Sequence, residues 1–163
     1  MQLGGYSLKA YFKMLTPLLA FIAAIWMLRL LLDAIGVPLD IVKYFSVTAA
    51  SAIAVLLATV NIHFSHFGGA LHVVICTAII SAFSQLLIVS AIVFSVLSGT
   101  PNIFTAPEFS LAADPHHLRH IIGHLSFSIG AEVLLGSAMG NLLLLVLRLI
   151  LPTSKRKNLN QVR

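Results

Sequence analysis

Four long apolar runs, divided by short glycine- and proline-containing breaks, decide what this chain can fold into. They cover about Leu15–Ile35, Phe45–Ile62, Ala70–Leu97 and Ile129–Leu151. Each approaches or exceeds the ~20 residues that a helix needs to cross a bilayer. Inside lipid every backbone polar group has to find its partner within the segment, so helices are the default. A membrane barrel would show repeated ~10-residue stretches of strict alternation, and the sequence has no such pattern.

Composition gives the same class. Of 163 residues, 59% are hydrophobic and only 9% are charged, against about 25% in a soluble domain. So few charges cannot solvate a globular surface, and lipid is the expected solvent. The expected fold is all-α: a polytopic bundle of four transmembrane helices in one domain, residues 1–152, followed by a basic tail at 153–163. A short helical piece over 115–128 is expected to lie at the interface before the last span, or to continue into it.

The breaks carry terminating chemistry. Gly36-Val37-Pro38 ends the first run, Gly68-Gly69 separates the second from the third, and Ser98-Gly99-Thr100-Pro101 ends the third. Asp114-Pro115 reads as an N-cap with proline at the first helical position, and Pro152 ends the last run. The long third loop has two readings: Phe104, Pro107 and Phe109 fold back onto the membrane surface, or the segment is a plain connector. Lys9 and Lys13 before an apolar run imitate a signal peptide, but the run continues past Arg29 without a small-x-small cleavage site, so an uncleaved first span is expected.

Basic residues set the expected orientation. With the N-terminus inside, Lys9, Lys13, Lys155, Arg156, Lys157 and Arg163 face the cytoplasm, and Lys43 and Arg119 face outward. Six against two is a positive-inside bias, placing both termini in the cytoplasm of a bacterial inner membrane. The net charge of +5 is thus matched to anionic lipid, not to nucleic acid. A single cysteine, Cys76, excludes an internal disulfide and a cysteine-rich metal site.

Helices in lipid associate through small residues and polar contacts. Ala50, Ala54 and Ala58 recur at four-residue steps, and Gly136 and Gly140 make a GxxxG. Both patterns predict packing faces. Thr77, Ser81 and Gln85 form a polar seam on the third span.

Ionisable residues inside the spans are the candidate site. Arg29 and Asp33 lie four apart, and Glu132 lies at a comparable depth of the last span. Because a charge in a span is costly, Arg29, Asp33, Gln85 and Glu132 are expected to form one outer-facing polar cluster, with Arg29 paired to Glu132. His116, His117, His120 and His124 follow near-helical spacing and could bind a divalent metal or supply a haem ligand. The simpler reading needs no cofactor: amphipathic side chains capping the membrane surface, apart from the buried charge site.

No nucleotide-binding loop and no nucleophile paired with a base is visible, which argues against an enzyme. The leading expectation is a small membrane protein that binds a partner subunit, lipid or small ligand in the polar pocket. A small oligomeric transporter or channel using Glu132 is the second. A haem- or metal-binding oxidoreductase subunit within a larger membrane complex is the third.

Overall fold

The computed structural model describes residues 2–106, 114 and 117–151. The chain is mostly helical, with four helical stretches long and apolar enough to cross a membrane: Leu8–Ala34, Leu39–Ser65, Ala70–Ser98 and Leu118–Ile150. The basic tail expected at 153–163 lies outside the described residues.

A small antiparallel hairpin opens the chain, β1 (Gln2–Leu3) and β2 (Tyr6–Ser7). Its turn places Gly4 and Gly5 at φ +59° and +89°, a region favouring glycine. Helix α1 (Leu8–Ala34) follows directly. The apolar run suggested a start near Leu15; the helix begins earlier because Ser7 accepts a hydrogen bond from the Ala10 N–H (3.3 Å). Lys9 and Lys13 therefore belong to the helix, and Pro17 lies inside it.

A short helix α2 (Leu39–Val42) leads to α3 (Val47–Ser65), which Ser46 caps through the Ala49 N–H at 3.3 Å. Helix α3 ends at His66, a left-handed residue with φ 55°. Helix α4 (Ala70–Ser98) ends at Gly99 with φ 67°. The last stretch comprises α5 (Leu118–Gly123), a π-helical turn (His124–Ser128) and α6 (Ile129–Ile150), continuous in helical structure.

Helices α3 and α4 pack on each other in the middle, and α1 and α6 each pack against both. Side-chain ties show that long helices consecutive in the chain run antiparallel, which leaves α1 parallel to α4 and α3 parallel to α6. At one end, His72 Nε2 bonds Gly4 O (3.1 Å), Arg148 Nη2 donates to Gly68 O (3.2 Å), and His63 Nε2 bonds Leu151 O (3.1 Å). At the other, the Ile103 N–H donates to Asp33 Oδ2 (2.8 Å), joining the segment after α4 to the end of α1.

Polarity is distributed inside out. Ser51, Thr59, Thr77, Ser81, Ser84 and Gln85 are buried between helices, while Phe12, Phe21, Leu57, Leu86, Phe94, Leu134 and Leu149 are exposed. Thr59 and Thr77 return their hydroxyl hydrogens to Val55 O (2.9 Å) and Val73 O (2.8 Å), so neither leaves a donor unpaired.

Small residues allow the close contacts. Ala50, Ala54 and Ala58 are buried on α3. A Cβ at Gly136 would stand 2.8 Å from Thr77 Cγ2, and one at Gly140 would stand 2.6 Å from Val73 Cγ1. Helix α6 thus lies on α3 and α4 at a distance that only glycine permits.

Candidate functional site

The polar residues of α4 and the last helix meet in one hydrogen-bonded chain. Gln85 Nε2 donates to Glu132 Oε1 at 2.6 Å, and Ser84 Oγ lies 3.2 Å from Glu132 Oε2. Ser51 Oγ of α3 donates to Ser84 Oγ at 3.3 Å, and the Ser81 hydroxyl also reaches Glu132. On the other side of Gln85, Oε1 is 2.6 Å from His124 Nδ1, and His124 Nε2 is 3.0 Å from His120 Nε2.

With the Gln85 amide in this orientation, the hydrogens follow. Gln85 uses its amide nitrogen toward Glu132, so its oxygen faces His124 and has to accept from Nδ1–H. A neutral His124 then has a bare Nε2, which accepts from His120 Nε2–H. Every donor in the series points toward Glu132. The ring nitrogen left over, His120 Nδ1, is buried without a hydrogen-bond partner among the described residues.

The π turn makes this alignment. Over eight residues of regular α-helix, His124 and Glu132 would diverge by about 80°. One π turn inserts about one extra residue per turn and cancels most of that drift. The expectation of a histidine cap separate from a buried charge site is therefore corrected: His124 and His120 join Glu132 through Gln85.

The expected Arg29–Glu132 pairing is also corrected, while Arg29 stays within electrostatic reach of Asp33 without a direct ion pair between the two. Among the described residues the ion pair drawn is Lys43–Asp40 (2.8 Å, exposed), and none joins Arg29 to Asp33 or Glu132. The reason is that neutral donors satisfy each carboxylate: the Ile103 N–H serves Asp33, and Gln85 and Ser84 serve Glu132. The Arg29 guanidinium is buried, with Cζ 4.9 Å from the centre of the Phe104 ring. Phe104 is itself buried in the bundle end, so of the two readings of the loop the surface fold-back does not hold for this residue. Pro107 and Phe109 lie outside the described residues.

Two cavities flank His124. The larger, about 390 Å³, lies between α3, α4 and the last helix. Ser51, Ser81, Gln85, His124 and Glu132 line its polar part, and Val55, Leu56, Leu135 and Met139 line its apolar part. The smaller, about 300 Å³, is lined by Arg29, Lys43, Ser46, Phe104 and His120, with Thr48 and His124 shared between the two.

Of the histidines proposed as metal ligands, His120 and His124 are bonded to each other, and the His117 ring centre is 6.4 Å from that of His120. His116 lies outside the described residues. Among the described residues, no three His, Cys, Asp or Glu side chains converge as a metal-ligand set. His63, His66 and His72 serve as ties at the opposite end.

Asp114 caps the start of α5 with both oxygens, accepting from the Leu118 and His120 N–H groups at 3.1 Å each. Helix α5 begins at Leu118, later than the Asp114-Pro115 signature suggested, with left-handed His117 (φ 52°) at the entry. Partial burial works against the Asp114 charge, but the N–H groups of His120, Arg119 and Leu118 outweigh it and hold its acidity below the usual carboxylate range.

Ser84 and Ser51 were missing from the sequence-derived site. Ser84 adjoins Gln85 and is three residues from Ser81, so helical geometry could have placed it on the seam. Nothing in the sequence paired it with α3. Comparison with known proteins returns no matching family model, no similar curated protein and no similar solved structure.

Proposed function

We propose that this is an integral protein of a bacterial inner membrane, with both termini in the cytoplasm, and that it binds a small amphipathic ligand in the larger cavity. The observation carrying the reading is a cavity of about 390 Å³ with Glu132, Gln85, His124 and Ser51 gathered in one part and aliphatic side chains in the rest. Small-molecule sites have this volume and this mixture, mostly apolar with a few convergent polar groups. The inside-out distribution of polarity supports residence in lipid, since exposed leucine and phenylalanine cover the helices. A polar chain this complete is costly to assemble inside a bilayer and marks a functional site by default. The last span enters through the helical piece at 118–128, whose first turn lies at the outer interface.

Native mass spectrometry in lipid nanodiscs tests this with three amphiphiles of equal chain length: dodecyltrimethylammonium, dodecanol and dodecanoate. One bound molecule per protein is expected for the head group that suits the site. Ala131→Phe, which fills the cavity wall, should abolish it. Equal binding by wild type and Ala131→Phe would refute the cavity as the site.

A further inference from the structure

Among the described residues, the partners of Glu132 are neutral. From α4 it meets Ser81, Ser84 and Gln85, and Ser51 of α3 stands behind Ser84. From its own helix, His124 reaches it through Gln85. Arg29 and Lys43 line the smaller cavity on the far side of His124. Among the described residues, no cation is bonded to the Glu132 carboxyl.

Ser84 makes both charge states of that carboxyl structurally acceptable. Its hydroxyl has one hydrogen and two acceptors within reach, Ser81 O at 3.0 Å and Glu132 Oε2 at 3.2 Å. When Glu132 is protonated, its O–H donates to Ser84, which turns its own hydrogen to Ser81 O. When Glu132 is ionised, Ser84 turns its hydrogen to the carboxylate. The heavy atoms stay in place, and Ser51 donates to Ser84 in either case.

We propose that Glu132 exchanges its proton for a cationic head group, so that the cavity selects a lipophilic cation. This deepens, and rests on, the reading of the cavity as a ligand site. In the empty cavity the carboxyl carries its proton, because an ionised carboxylate in lipid without a counter-charge is costly. When the cation enters, the carboxyl O–H bond breaks and the proton leaves on water in the cavity mouth. The carboxylate then pairs with the head group, and the site stays neutral overall. An anionic head group would meet the carboxyl without any such compensation. The histidines hold Gln85 in orientation and do not conduct the proton, since an amide passes a proton only through its imidic tautomer. They are positioning residues.

The test uses wild type and Glu132→Gln in nanodiscs, with empty discs subtracted. Dodecyltrimethylammonium is added in weak buffer with a pH indicator, and the protonated-carboxyl stretch is followed by infrared difference spectroscopy. Release of one proton per bound cation is expected, with loss of the carboxyl band and an affinity rising about tenfold per pH unit while the carboxyl is protonated. Glu132→Gln should release none. Binding without proton release overturns the exchange and leaves the cavity reading standing. Binding by none of dodecyltrimethylammonium, dodecanol and dodecanoate overturns both.

Discussion

Glycines on a single helix should respond to alanine with opposite signs. At Gly140 an added Cβ would stand 2.6 Å from Val73 Cγ1 and 2.9 Å from Thr59 Oγ1. Carbon atoms pack at about 3.5–4.0 Å, so α6 would have to move away by roughly 1 Å. Neither obstacle yields easily. Val73 is β-branched and buried, and Thr59 is held by its bond to Val55 O. Overpacking of this kind costs about 1–3 kcal/mol. At Gly130 an added Cβ meets nothing within 4 Å. There the helix-propensity gain of up to about 1 kcal/mol is free to appear. Gly140→Ala should therefore unfold earlier than wild type, and Gly130→Ala at or above it. The assay is denaturant titration in mixed micelles, followed by circular dichroism. Equal stability of the two variants would refute the packing of α6 on α3 and α4.

Other consequences are as specific. Gln85→Leu removes the donor to Glu132 and the acceptor for His124, two interhelical bonds worth about 0.6–1.7 kcal/mol each in a membrane protein; the loss should appear in the same denaturant titration. Asp114 is more acidic in the folded state than in the unfolded chain, so its contribution is present above the ordinary aspartate range and is lost as pH falls through the lowered value. The protection factors of the Leu118 and His120 amides, corrected for the intrinsic exchange rate at each pH, should fall only below the ordinary aspartate range, about pH 4; a fall beginning near neutral pH would contradict the cap. His72 accepts from the Gly69 N–H (3.1 Å) and bonds Gly4 O. His72→Ala should therefore expose the N-terminal hairpin to proteolysis without lowering bundle stability by more than about 1 kcal/mol.

The fold was legible where one physical signal dominated. Hydrophobic runs and glycine–proline breaks located four helices, and α4 spans Ala70–Ser98 against an expected Ala70–Leu97. The start of α1 was not legible from hydropathy, because a serine cap and the hairpin ahead of it decide that end. Among the site residues, Gln85 and Glu132 do meet. Arg29 and Asp33 do not join them, because charge matching overlooked how well amides and hydroxyls satisfy a carboxylate. The link from His124 to Glu132 was hidden because it depends on a π turn, and regular helical periodicity places the two residues on different faces.

The most direct measurement is photo-crosslinking in nanodiscs with a diazirine-bearing dodecyltrimethylammonium, followed by peptide mapping. Labels are expected on the inner cavity wall, at Val55 and Leu56, and should fall away when Ala131 is changed to Phe. Labels confined to outward-facing residues such as Leu134 and Leu149, and unaffected by Ala131→Phe, would contradict a ligand site between these helices.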